Sequence, residues 1–407
     1  MQSKTSLSLV DQETLVIPVA HRRDVRASWH VWLIACQRVL PIYIAIHVAC
    51  AIITYVAVLF TLGNFSTTSL PLHTLLNSWF RWDSGHFTFI ATHGYDGAWR
   101  TAFFPLYPIL EHIFAYGTRD PFIAGLIVSN LAGFGLFVVL YRLIVEDFDA
   151  DLAHRTVLYL AVFPTAFFFL AAYNESLFIF LATLSFYHIR RGSWWLAGMA
   201  GILASLTRSA GLLLLVPFAY EYLRQHNWNI RALRLDVLNM MLIPAGTVLF
   251  AIYCNYRFHD PFAFSHAQAV WHRYLVGTWY GFGKALKILF NRSVLTFDSI
   301  HTVIDLSTDT LMLALVILGF VGPWRFSYEQ MSYALYGLTI YLFLTMFPAV
   351  DSFPLQSLSR LVLEMIPAFV TLALIGKRSS IHLGYLLIAW SFFAFMLLQF
   401  LTGRWVV

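Results

Sequence analysis

Apolar runs long enough to cross a ~30 Å hydrocarbon core as helices recur along this chain from residue 39 to residue 402. Inside a bilayer every backbone N–H and C=O must find its partner within the segment, so such runs dictate helix. Composition agrees: 12% of the 407 residues are charged and 59% are hydrophobic. A soluble domain carries roughly 25% charged residues. The chain therefore reads as an all-α polytopic membrane protein with about 11 transmembrane helices. These are expected near 39–62, 121–144, 155–173, 175–189, 194–207, 209–223, 236–256, 309–322, 331–349, 360–376 and 381–402.

Between the spans two long connections stand out, 64–120 and 257–308. The run 103–116 is broken by Pro105, Pro108 and Glu111 and reads as a re-entrant or interfacial helix. Residues 265–295 mix Trp, Tyr, His and Lys with apolar positions and read as an amphipathic helix on the membrane surface. Residues 1–30 are polar and basic, with no cleavage site behind a short apolar run. They are expected to form a cytoplasmic tail, leaving 31–407 as one integral domain. Short basic links such as Arg190-Arg191 and Lys377-Arg378 then fall on the cytoplasmic side. This places both long connections outside.

Several classes of function drop out. The net charge of +5 is scattered over short loops and forms no stripe, so nucleic acid is not an expected partner. Cys36, Cys50 and Cys254 lie in apolar segments and read as packing residues. His86 and His93 invite a metal, but no carboxylate pair or His-rich spacing supports one. No cofactor is expected. A transporter or glycolipid flippase should show inverted repeats and polar breaks near the midplane; no repeat is visible.

Polar residues at span ends are costly and need a reason. In the orientation above, four such places share the outer face: Asp83 with His86; Asn174-Glu175-Ser176; Thr207-Arg208-Ser209; and Ser357-Leu358-Ser359-Arg360. The first lies in Arg81-Trp82-Asp83-Ser84-Gly85-His86, a guanidinium, a carboxylate and an imidazole within six residues. Two acids and two arginines at one membrane face suit an anionic, lipid-linked substrate.

These motifs resemble the PIG-V family, GPI mannosyltransferase II and its prokaryotic relatives, within the GT-C class of membrane glycosyltransferases. The resemblance runs through Trp82-Asp83-x-x-His86-Phe87, Ile90-Ala91, Gly94-Tyr95 and Phe103-Phe104-Pro105-Leu106-Tyr107-Pro108. It continues in Pro164 to Phe168, Tyr173-Asn174-Glu175-Ser176 and Leu206-Thr207-Arg208-Ser209-Ala210-Gly211. Ser357 to Arg360 looks like the family's late Arg-containing loop. That pattern has Tyr after the Arg and Phe-Pro further on, where this chain has Leu361 and Ile366-Pro367.

The resemblance implies a GT-C fold with an extracytoplasmic active site and a polyprenyl- or dolichyl-phosphate sugar donor. Mannose is the expected sugar and a glycolipid or glycan the acceptor. Transfer would be inverting, with Asp83 as general base and Asp96 in reserve. Arg208, helped by Arg360 or His86, would hold the leaving phosphate, and Glu175 would orient the sugar or an arginine. Arg81, Trp82, Tyr107 and Asn174 complete the expected binding set. A prokaryotic member would sit in the plasma membrane, a eukaryotic one in the endoplasmic reticulum.

Overall fold

The computed structural model describes residues 29–62, 70–291, 296–350 and 353–404. The expected N-terminal tail, apart from its end, lies outside them. Among the described residues the architecture is helical without strands, and one isolated antiparallel bridge joins Arg273 to Ala349.

Helix limits follow local chemistry. Asp120 caps the helix Pro121–Asp147, accepting from the backbone N–H of Phe122 at 2.9 Å, and Pro121 fills the first turn, where its missing N–H costs nothing. Asp149 caps Ala150–Ala161 in the same way, through the Leu152 N–H at 2.7 Å. Small residues let helices approach. A Cβ on Gly246 would clash with the Ile202 backbone carbonyl, so Trp194–Thr207 and Leu242–Phe258 meet nearly backbone to backbone. This is how helices associate where lipid removes the hydrophobic incentive.

Among the described residues five helices are long and apolar enough to cross a membrane: Trp29–Thr61, Pro121–Asp147, Leu235–Phe258, Ser299–Phe320 and Ser379–Leu401. The chain is thus a multi-pass membrane protein. The expected span at 360–376 is two pieces, Leu358–Glu364 and Ile366–Ile375, meeting at 85°. Expected spans at 155–173 and 209–223 are also interrupted. The first stops at Ala161 and resumes as a 3-10 turn at Ala166–Phe169; the second is a 3-10 turn, Ser209–Leu214, running into Leu215–Gln225. The surface helix expected at 265–295 is broken as well, into Ala263–His266, Ala267–Trp271 and Tyr280–Asn291. The re-entrant or interfacial element expected at 103–116 is a helix, Leu106–Thr118.

Glu175–Arg190 runs through the middle of the packing, with most of its side chains buried. At about 1.5 Å per residue its 16 residues span roughly 24 Å. Each end carries an ionic cluster.

Candidate active site

At the Glu175 end the breaks in the helices turn polar side chains toward one cavity of about 320 Å³. Asp83 opens the helix Asp83–His93, where a carboxylate also suits the helix dipole. Before it, Trp82 adopts φ 39°, an unusual conformation for a bulky residue. Arg208 sits in extended backbone between the helix Trp194–Thr207 and the turn Ser209–Leu214. Ser357, with φ 66°, starts the short helix Leu358–Leu361 that presents Arg360. Thr165 Oγ1 fixes that helix by donating to the Ser359 carbonyl at 2.7 Å.

The charges interlock. Arg360 Nη1 donates to Asp83 Oδ2 at 2.7 Å, and its Nε lies 3.3 Å from Glu175 Oε1. Arg208 Nη1 lies 3.2 Å from both Glu175 Oε1 and Glu364 Oε1. The Arg360 guanidinium also stands over the Phe168 and Tyr173 rings, 5.3 and 5.4 Å from their centroids. The set is not closed. Glu175 Oε2, both Glu364 carboxylate oxygens and Arg360 Nε are buried without a hydrogen-bond partner, although Glu364 is within ion-pair distance of Arg208. Asp83 keeps 24% of its side chain accessible. The remaining wall is largely aromatic, with Trp82, Phe103, Phe168, Phe264, Trp271 and Phe343 among its members.

Of the residues expected from the sequence, Trp82, Asp83, Asn174, Glu175, Arg208 and Arg360 line this cavity. Asn174 donates to the Thr207 carbonyl at 3.2 Å, linking two of the motifs. Arg81, His86, Asp96 and Tyr107 stand elsewhere. Arg81 Nη2 donates to the Leu401 carbonyl at 2.8 Å, tying the last helix to the motif. Tyr107 is buried, its hydroxyl bonded to Gly125 O at 3.0 Å and Ser129 Oγ at 2.7 Å. Asp96 pairs at the surface with Arg100 at 2.7 Å.

His86 stacks on Phe103 at 4.7 Å, and its Nδ1 meets Arg100 Nη1 at 3.0 Å. Burial above all holds this imidazole below its ordinary 6.5; Arg100 lowers it further, while Asp83 and Asp96 pull the other way. Arg100 itself stands over the Phe89 and Trp99 rings, 3.8 and 4.2 Å from their centroids.

Three participants escaped the sequence reading. Glu364 sits just before the 85° bend. Arg273, in the second long connection, lines the cavity and donates through Nη2 to the Gln356 carbonyl at 2.9 Å. Behind the wall, Phe400 packs its ring against Trp79, Trp82, Phe167, Phe168 and Tyr173, with centroids 5.4 to 6.2 Å away.

Fold and site together define a polytopic membrane protein with an ion-lined, aromatic-walled cavity at one end of its helices. The family can be stated more closely. Residues 64–261, a little under half of the chain, match the family model described as Mannosyltransferase (PIG-V). The chain resembles that family through the stretch holding Asp83, Glu175 and Arg208, as its motifs indicated.

GPI alpha-1,6-mannosyltransferase 2 of Mus musculus is 31% identical over 155 residues, covering 34% of this chain and 30% of the mouse protein. The Rattus norvegicus protein is 32% identical over 154 residues, 35% of this chain and 31% of its own length. The match thus spans under a third of those relatives. Among solved structures, ArnT from Cupriavidus metallidurans bound to undecaprenyl phosphate covers 89% of this chain and 76% of its own, at 13% identity and TM-score 0.49. The apo oligosaccharyltransferase of Archaeoglobus fulgidus covers 89% and 56%, at 12% identity and TM-score 0.47. Likenesses at this level carry nothing about chemistry.

Proposed function

We propose that this chain is a GT-C-type membrane glycosyltransferase moving a hexose, mannose by family likeness, from a polyprenyl-phosphate donor to a glycolipid or glycan acceptor. The active site faces the extracytoplasmic side, and the whole helical domain from residue 31 onward serves it. The observation that carries this reading is the convergence of Asp83, Glu175, Arg208 and Arg360 on one cavity, Asp83 and Arg360 being 277 positions apart in sequence.

Asp83 is the general base. Its ion pair uses one carboxylate oxygen, and the side chain stays reachable from the cavity. It takes the proton of the acceptor hydroxyl as that oxygen attacks the anomeric carbon from the face opposite the phosphate. The glycosidic bond forms, the sugar–phosphate bond breaks with inversion, and the phosphate leaves as an anion. Such a leaving group needs fixed cations more than an acid, and the arginine cluster supplies them. Glu175 keeps Arg208 and Arg360 in register, since its Oε1 lies within 3.3 Å of both. Arg360 in turn orients the base.

The test is reconstitution in liposomes with a panel of polyprenyl-phosphate sugars and candidate lipid acceptors, followed by mass analysis. A hexose-sized increment on an acceptor, dependent on a lipid-phosphate donor and lost in Asp83→Asn, is expected. Transfer at wild-type rate by Asp83→Asn would sink the role of the base. Absence of transfer from every lipid-phosphate donor, with transfer from a nucleotide sugar, would sink the donor class.

A further inference from the structure

We propose that Arg273 is the primary ligand for the phosphate of an isoprenoid-phosphate donor, a role that the second long connection brings to the site. This rests on the lipid-phosphate donor reading above and names the residue that reads the phosphate. Arg208 and Arg360 are already engaged, the first between Glu175 and Glu364 and the second between Asp83 and Glu175. Arg273 lines the same cavity, yet among the described residues it has no carboxylate within ion-pair distance; its recorded side-chain bond is the one to the Gln356 carbonyl. A guanidinium has five N–H donors in a planar fork that matches phosphate oxygens. Most of that fork remains for a ligand.

The backbone holds Arg273 in place. Val276 N–H donates to Met346 O at 3.0 Å, Val350 N–H donates to His272 O at 2.9 Å, and the bridge Arg273–Ala349 lies between them. This short ladder fastens the segment to the end of the helix Met331–Met346, where Phe343 and Phe347 stand 5.4 Å apart on the cavity wall. An anionic head at Arg273 therefore has an apolar path beside it, the layout an isoprenoid phosphate requires. The electrostatics also ask for an anion. Burial first, then Arg360 and Arg208, push the Arg273 guanidinium down to about 10, with Asp83 pulling the other way. It stays cationic at neutral pH against two like charges, a repulsion that a bound phosphate relieves.

The experiment uses the full chain in nanodiscs. Farnesyl phosphate, inorganic phosphate and farnesol are titrated against the fluorescence of Trp82 and Trp271, which line the cavity. Wild type should bind farnesyl phosphate best. Arg273→Gln should weaken that affinity by about tenfold or more, the loss expected for a charge-assisted hydrogen bond, and leave farnesol unchanged.

A second measurement needs no variant. Farnesyl phosphate, and not farnesol, should protect Arg273 from phenylglyoxal, read by mass spectrometry of its peptide. Unchanged affinity in Arg273→Gln, or equal modification with and without farnesyl phosphate, overturns the role of Arg273 and leaves the donor reading standing. Failure of the wild-type protein to bind farnesyl phosphate above farnesol overturns the donor reading itself. Binding of inorganic phosphate as tight as farnesyl phosphate overturns the lipid part of the proposal.

Discussion

The two ends of the helix Glu175–Arg190 carry similar side chains in opposite states. At the far end Arg190 lies 2.8 Å from Asp147 and 2.5 Å from Glu221, and also donates to the Glu329 carbonyl. Tyr333 donates to Asp147 at 2.6 Å, and Arg224 takes the other Glu221 oxygen at 2.7 Å. Around Arg190 that cluster closes on itself, although Arg142 Nε and Arg191 Nη2 beside it are also buried without a hydrogen-bond partner. None of its members lines the cavity that holds Asp83. At the Glu175 end the acids and arginines surround a cavity, and several buried polar atoms still lack partners. Both placements suit the helix dipole, with acid at the N-terminus and base at the C-terminus. A buried ionic network that is complete serves architecture; one that is incomplete around a void is poised for a ligand.

That contrast can be broken by mutation. The largest effect belongs to the closed end. Arg190→Ala removes the buried cation shared by Asp147 and Glu221, leaving Glu221 with Arg224 alone, and should cost about 3–5 kcal/mol of stability, read as a lowered Tm in detergent. The protein that stays folded should retain its donor KM. Asp83→Asn reverses the pattern, with turnover down by at least ~10²-fold, the lower range for a lost general base, at unchanged Tm and donor affinity. If Asp83→Asn destabilises as Arg190→Ala does, the two ends do not differ in kind.

A smaller effect is expected at Arg208, where Lys keeps the charge but cannot reach Glu175 and Glu364 at once. Turnover should fall roughly tenfold with little change in Tm; wild-type kinetics would show that the shared contact is idle. Least perturbing is a test of sidedness. Thr92 and Asn229 are both exposed. In a background lacking Cys36, Cys50 and Cys254, an impermeant thiol reagent outside the cell should label Thr92→Cys and leave Asn229→Cys untouched until the membrane is opened. Labelling of both from one side would undo the assignment of the cavity to the outer face.

The open end was the more legible in sequence. Asp83, Glu175, Arg208 and Arg360 are charges beside apolar runs, and a membrane tolerates those poorly enough to make them conspicuous. Glu364 was hidden because 360–376 reads as one uninterrupted span. Pro367, just inside the helix Ile366–Ile375, was the available hint of the 85° bend. Arg273 was hidden by its neighbours: Trp, Tyr, His and Lys around it give a surface-helix pattern, whereas the segment is extended and tied to residues 346–350. Arg81 and Tyr107 stand inside the motif but off the cavity wall, Arg81 bonded to the Leu401 carbonyl and Tyr107 to Gly125 O and Ser129 Oγ, so a polar residue in the motif need not face the cavity. Chain periodicity located the helices well but not their interruptions, and the interruptions deliver the site.

Phe400 has a consequence for how the protein is made. Its ring backs Trp82, Phe168 and Tyr173, three members of the cavity wall, while the adjacent Leu401 carbonyl receives Arg81 from the motif that holds Asp83. Translation delivers these two positions after every charged residue of the cavity has emerged. A nascent chain stalled before Ser379–Leu401 would carry all of those charges and lack the support that fixes them. Docking of Ser379–Leu401 is thus the folding step that sets the cavity wall, later than the insertion of the charges it holds in place.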